Sequence, residues 1–286
     1  MRDEPHSLPR EVLARALRAQ WDIDVQSLKY APVGAGSYHW VAEEITGRRW
    51  FVTADNLEWD GDADGTFADL RAAYQTATVL REAGLSFVVA PVASRANKVV
   101  ERILPGWAVA LLPFIEGQAA GPGEWTDSSA RLAAARIIGE LHRPPPPSPI
   151  QRWAFAIPNR SAFNAALREL DRPWDSGPYG ERARQLLAES RRGTEALFNH
   201  YDRLAEKVAA SHEPWVVTHG EPHSANFISG QDGGMHLIDW DTVRLAPRER
   251  DLGEDTDALA AYQEVAGPYE LRPDAVELFP GLVGPR

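Results

Sequence analysis

The chain has 286 residues, 44% hydrophobic and 25% charged, a balance ordinary for a soluble globular protein with one large or two smaller cores. It contains no cysteine, which excludes disulfides, thiol catalysis and thiolate-bound metals. A formal net charge of −11 argues against a nucleic-acid partner held through phosphate contacts.

The N-terminal stretch "MRDEPHSLPREVLARAL" is charged and lacks the apolar core of a signal peptide. The longest apolar run, "WAVALLPFI" (107–115), is too short to span a bilayer and carries a proline, so the expected location is cytoplasmic, with no membrane partner. Basic residues are strongly biased to arginine; the lysines are Lys29, Lys98 and Lys207, so any role that needs a lysine is easily audited.

In chain order, residues 9–20 predict an amphipathic helix with Pro9 near its start. Residues 27–55 predict three strands, the first two joined by the glycine turn "VGAGSY" and the next two by "TGRR". The acidic stretch "DNLEWDGDADG" (55–65) reads as a loop. A helix follows over about 66–83, ended by Gly84. "FVVAPVA" (87–93) and "WAVALLPFI" read as two further strands, giving a five-stranded antiparallel sheet. After "EGQAAGPGE" (116–124) the pattern turns helical. Thr126 or Asp127 caps a helix running to about His142, and the proline run 143–149 is an exposed connector. Helices over about 161–171, 179–191 and 193–210 precede short strands at 215–218, 226–229 and 235–239, the last two joined by "SGQDGG". The fold class is α+β: a small sheet-rich lobe, then a larger, mainly helical lobe carrying a polar hairpin.

That hairpin concentrates the chemistry. "WVVTHGEPHSANFI" (215–228) brings together His219, Glu221, His223 and Asn226, and "MHLIDWD" (235–241) adds Asp239 and Asp241. A zinc site would need His219 and His223 on one helical face. Gly220 and Pro222 make the segment a loop, so that spacing argument fails. Taken singly, these residues also read as hydrogen-bonded or exposed loop residues. Taken together, Asn226 starting one strand and Asp239 ending its partner form an oxygen-ligand pair suited to Mg2+. Glu221 stands beside them to orient, or take a proton from, an attacking hydroxyl.

"HGEPHSAN" followed by "LIDWD" resembles the catalytic loop and metal-binding motif of the aminoglycoside phosphotransferase family, most of all its spectinomycin-phosphotransferase-like members. The resemblance spans roughly residues 30–260 and is most specific over 214–252. It implies a protein-kinase-like two-lobe fold, with a nucleotide-binding lobe at 1–112, a catalytic lobe at 113–286 and a hinge about 111–117. It also implies ATP and Mg2+ as cofactors and a small-molecule hydroxyl as acceptor, an aminoglycoside-like antibiotic being favoured.

Residue by residue, the resemblance assigns Glu221, His219 and Asp251 to the catalytic set, Asp251 bracing the loop from "PRERDL". Asn226 and Asp239 are the metal ligands. Gly34, Ala35, Gly36 and Ser37 cover the phosphates, Val41 roofs the adenine, and Leu112 and Phe114 belong to the hinge. "GELHR" (139–143) resembles the helix end beneath the site. Three departures stand out. Glu221 replaces an aspartate. Thr53 stands where the third strand usually carries a phosphate-holding lysine, with Ala73 and Tyr74 near its missing glutamate partner. The segment after the metal motif is short. His39, Arg48 or Arg49 are the substitute cations to consider. A metabolic kinase for a choline-like or sugar substrate, and a nucleotide-binding pseudokinase, are the rival readings.

Overall fold

Five strands between Val25 and Pro113 build one antiparallel sheet. In the computed structural model, which describes residues 3–59, 61–125, 127–148 and 150–279, its strands are β1 (Val25–Ala31), β2 (Tyr38–Glu44), β3 (Arg49–Asn56), β4 (Glu101–Leu104) and β5 (Trp107–Pro113). They lie in the order β1-β2-β3-β5-β4. Period-two alternation gives β3 two functional faces. Trp50, Val52 and Ala54 pack under helix α1 (Arg10–Trp21) against Leu13, Leu17 and Trp21. Phe51 faces the other way, toward Leu70 and Tyr74 of helix α2 (Ala63–Glu82), and Thr53 and Asp55 share its side.

The predicted strand at 87–93 is not one. Phe87 and Val88 are buried with the helical part of the chain, and their backbone is committed there: Val89 N–H donates to Leu237 O at 3.1 Å and Leu237 N–H to Phe87 O at 2.8 Å. The fifth strand is β4, whose sequence "ERIL" shows too little apolar patterning to be found by eye. The acidic loop is occupied in starting α2. Asp62 accepts from the Gly65 amide at 2.9 Å and Asp64 pairs with Arg102 at 2.8 Å, so the helix begins three residues before the predicted 66.

The rest is mainly helical. Asp127 caps α3 (Ser128–Leu141) by accepting from Ala130 N–H; Thr126, the other candidate cap, lies outside the described residues. α3 packs on α6 (Thr256–Ala266), and Gly139 permits the approach, since a Cβ there would stand 2.9 Å from Tyr262 O. After α4 (Arg160–Arg168), the two helices predicted at 179–191 and 193–210 are one, α5 (Gly180–Ala209). Gly193 costs a helix only about 1 kcal/mol relative to alanine, which does not break it. α7 (Pro273–Leu278) sets Ala275 and Leu278 against Leu204 and Val208 of α5.

Two small sheets complete the fold: β6 (Gly117–Ala119) with β8 (Phe227–Gly230) and β9 (Met235–Leu237), and β7 (Val216–Thr218) with β10 (Arg244–Ala246). One core joins the parts: Ala73, Ala77 and Leu80 of α2 are buried with Ile138, Leu237, Trp240 and Tyr262.

Candidate active site

β7 runs into His219-Gly220-Glu221-Pro222-His223, which the positive φ of Gly220 (+97°) and the proline keep from becoming helix. One carboxylate braces this loop from beneath. Asp251 Oδ2 accepts from the His219 amide at 2.7 Å, and Oδ1 from the Gly220 amide at 2.6 Å. His142, at the end of α3, reaches Oδ2 at 3.2 Å through Nε2. Burial alone would raise the Asp251 carboxyl. The hydrogen bond and charge of His142, with the field of Arg250, outweigh it and hold the group below the ordinary carboxylate range. Arg250 fills the space under Gly220, donating to Thr218 Oγ1 and Thr242 O, both at 2.9 Å. A Cβ on Gly220 would overlap its guanidinium, so only glycine fits there.

His219 is fully buried. Its Nε2 donates to Ile238 O at 2.8 Å while Nδ1 accepts from the Glu221 amide at 3.3 Å, bonds that assign the neutral Nε2–H tautomer. Burial pushes its pKa down to about 4. With both nitrogens engaged and no charge, His219, placed in the catalytic set by the resemblance, shapes the loop that carries Glu221. Glu221 is positioned through its carbonyl, which accepts from Asn226 Nδ2 at 2.9 Å and from the His223 amide at 2.8 Å.

Asn226 and Asp239 sit just past the paired end of the β8–β9 hairpin rather than within its strands. Asn226 closes a 3-10 turn (Ser224–Asn226), and its carbonyl accepts from Ile238 N–H at 3.0 Å. Asp239 follows in a left-handed conformation (φ +68°). Because Asn226 Nδ2 is committed to Glu221, its amide oxygen is the atom left for a cation. Asp239 and Asp241 share a hydrogen bond, and both carboxyls are pushed up. For Asp239 the causes are burial and then the charge of Glu221; for Asp241, pushed further, they are burial, Asp239 and Asp55. Crowded, partly dehydrated carboxyls with an amide oxygen fit a hard divalent ion such as Mg2+. Among the described residues no three His, Asp or Glu side chains are close enough to hold a metal by themselves.

The cleft face of the sheet carries two cross-strand rows. His39, Thr53 and Ala110 form one, and Val41, Phe51 and Leu112 the next, with Phe51, Ala110 and Leu112 packed in the same cluster as Ile238. The loop before β2 holds Gly34 (φ +68°), Ala35 and Gly36 (φ +99°), and Ser37 Oγ ties it to β3 by donating to Asp55 Oδ1 at 2.5 Å. Phe114 belongs to none of the buried clusters and is covered by the Arg49 guanidinium at 4.3 Å.

None of the substitute cations serves Thr53. His39 Nδ1 lies 3.2 Å from Thr53 Oγ1 and its ring stacks on Phe51 at 5.0 Å, but burial lowers its pKa to about 4, so it is neutral at pH 7. Arg48 covers Trp50, and Arg49 pairs with Glu116. Four residues of strand put Arg49 roughly 13 Å from Thr53. Lys98 and Lys207 pair with Glu101 and Asp274, and Lys29 is exposed on β1.

Instead of a cation the cleft presents Asp55, whose Oδ2 is buried without a partner. Burial pushes its carboxyl up to about 6, opposed by the Ser37 bond and helped by Asp239. Tyr74, buried on α2, is raised by burial and by the charges of Asp55, Asp241 and Asp239. Sequence reasoning did not select Asp55. Its signal was present, since it lies two residues after Thr53 and so shares that face.

The family model described as Phosphotransferase enzyme family matches residues 37–266. Protein StrN of Streptomyces griseus is 30% identical over 263 residues, covering 86% of this chain and 72% of its own length. Spectinomycin phosphotransferase, solved in complex with ADP and spectinomycin, is similar with a TM-score of 0.68 at 15% identity, over 94% of this chain and 83% of that one. Amicoumacin kinase in complex with AMP-PNP, Ca2+ and Ami gives 0.62 at 15% identity, over 94% and 82%. At these identities the solved structures establish the fold, which is kinase-like, with an antiparallel-sheet N-lobe followed by helical parts. No helix among the described residues is long and apolar enough to cross a membrane.

Proposed function

The chain belongs to the phosphotransferase enzyme family, and from that premise we propose that it moves the γ-phosphoryl group of ATP, with Mg2+, to a hydroxyl of a small molecule. The observation that carries the reading is the loop Glu221–Asn226, braced at its root by Asp251 and set against the hairpin end that bears Asp239. Glu221 orients the acceptor hydroxyl and takes its proton late in the transfer. Asn226 Oδ1 and Asp239 hold the ion, with Asp241 as a closely placed alternative. When bound, Mg2+ neutralises charge on the phosphate oxygens. The glycine turn 34–37 covers the phosphates, while Val41, Leu112 and the hinge at 111–117 receive the base. The nucleotide-binding lobe is 1–112 and the catalytic lobe 113–286.

The acceptor we favour is an aminoglycoside-like, cationic antibiotic. Support comes from the net charge of −11, from carboxyls facing the cleft, and from a fold neighbour that carries spectinomycin. The test is transfer from labelled ATP across a panel of aminocyclitols, amino alcohols and sugars, repeated with Glu221→Gln. We expect phosphorylation of at least one aminocyclitol, and a roughly 10²–10⁴-fold fall in kcat for the variant with MgATP affinity nearly unchanged. Full activity in Glu221→Gln removes Glu221 from the base role. Transfer to choline-like or sugar acceptors alone makes this a metabolic kinase.

A further inference from the structure

A phosphoryl group in transfer carries concentrated negative charge, and this cleft lines it with Glu221, Asp239, Asp241 and Asp55 while Thr53 stands in the lysine position. A donor must come from elsewhere. Arg250 is close, since its charge is felt by Asp251, but its two terminal nitrogens are committed to Thr218 and Thr242 beneath Gly220. Arg244 donates to Val243 O and pairs with Asp69.

His223 is different. It lies between Glu221 and Asn226, fixed by its backbone: its amide donates to Glu221 O at 2.8 Å and its carbonyl accepts from the Asn226 amide at 2.9 Å. Its Nε2 faces Asn226 Nδ2 at 3.5 Å, which favours the tautomer with hydrogen on Nδ1. Nδ1 is buried and has no hydrogen-bond partner. The ring lies within electrostatic range of the Asp239 carboxyl. A buried polar atom left without a partner beside Glu221 and Asn226 calls for a ligand.

We infer that His223 is a catalytic residue that donates from Nδ1 to a non-bridging oxygen of the transferred phosphoryl group. The inference rests on the phosphotransferase reading. In the transfer the acceptor oxygen bonds to phosphorus and the bond from phosphorus to the bridging oxygen breaks. The electron pair of that bond leaves with the nucleoside diphosphate, and the acceptor proton goes to Glu221. His223 keeps its own proton throughout and stabilises charge only.

The test compares wild type with His223→Ala, His223→Asn and His223→Gln by calorimetric titration with ADP and with AMP-PNP, each with Mg2+. Asparagine places its amide near Nδ1, glutamine near Nε2. We expect His223→Ala to weaken AMP-PNP by roughly 10- to 100-fold, the effect of one hydrogen bond to a charged group, while ADP affinity stays within about twofold. His223→Asn should restore most of the loss and His223→Gln little of it. Equal losses for both nucleotides, or none, overturn the inference, as does equal behaviour of the Asn and Gln variants should His223→Ala not fold. A wild type that binds neither nucleotide overturns the phosphotransferase reading with it. A wild type that binds both, with His223→Ala indifferent, overturns this inference alone.

Discussion

Replacing Asp251 with asparagine changes one atom and tests the brace on which the catalytic loop depends. The carboxylate accepts from the His219 and Gly220 amides at 2.7 and 2.6 Å, in a site only 2% exposed. Asparagine keeps one acceptor. Its NH2 then confronts the other backbone N–H, so a charge-assisted bond worth roughly 1.5–3 kcal/mol is lost and a buried donor is left unpaired at about 1–3 kcal/mol. The sum, allowing for relaxation, is about 3–5 kcal/mol at pH 7, measured by urea unfolding with a common m-value. The sign with pH is fixed by the depressed folded-state pKa. Such a carboxylate contributes its full stability above its unfolded value of about 3.9, and loses it as pH falls through the lower folded value. The gap between wild type and Asp251→Asn is therefore constant from pH 7 to about 5 and closes below about 4. A gap under 1 kcal/mol at pH 7, or one that widens on acidification, refutes the reasoning.

Two further outcomes follow from the charge pattern of the cleft. Asp241 is crowded by Asp239, Asp55 and Glu221, so Asp241→Asn should stabilise the metal-free protein at pH 7 by on the order of 1 kcal/mol, about 2 °C in Tm by scanning calorimetry in EDTA. A lower Tm would show that the carboxyls do not repel one another as described. His39, with its pKa near 4, is neutral from pH 6 to 8, so the pH profiles of MgATP affinity for wild type and His39→Ala should run parallel over that range. A wild-type profile that falls through pH 6.5 and is flattened by His39→Ala would restore the imidazolium reading.

The sheet and the loop at 219–226 were legible because local signals and tertiary need coincide there. The alternation in β3, the glycine turns and the capping aspartates all point to the elements observed. The strand at 87–93 was misplaced because β-propensity measures fit to a buried surface, and Phe87 and Val88 have such a surface against Leu237 without joining the five-stranded sheet. The division of α5 at Gly193 overweighted a single glycine. The site failed to show itself where its logic is electrostatic and three-dimensional. That His39 is neutral depends on burial, which no motif records. That Asp55 faces Asp239, and that His223 Nδ1 lacks a partner, depend on which side chains meet across the cleft.

The absent lysine and its absent glutamate partner also divide two duties that such a pair combines, positioning the helix and neutralising phosphate. The first is met without charge. Leu80, Ala77 and Ala73 of α2 are buried with Leu237 and Trp240, and a single leucine so buried contributes about 1.5–3 kcal/mol. The exposed ties from Asp69 to Gln151 at 2.8 Å and to Arg244 at 3.5 Å add at most about 1 kcal/mol each. Packing therefore fixes α2 against the turn that follows Asp239, and an ion pair to β3 would add little to its position. The second duty cannot be met by packing, because only a cation or an aimed hydrogen-bond donor offsets charge on a phosphoryl group. With the cleft face of β3 offering Thr53 and a carboxyl, the compensation has to come from the opposite wall, where Asn226, Asp239 and His223 converge. On the proposed reading, the sheet would enclose the nucleotide while the loop 219–226 and the ion held by Asn226 and Asp239 would carry the electrostatic work.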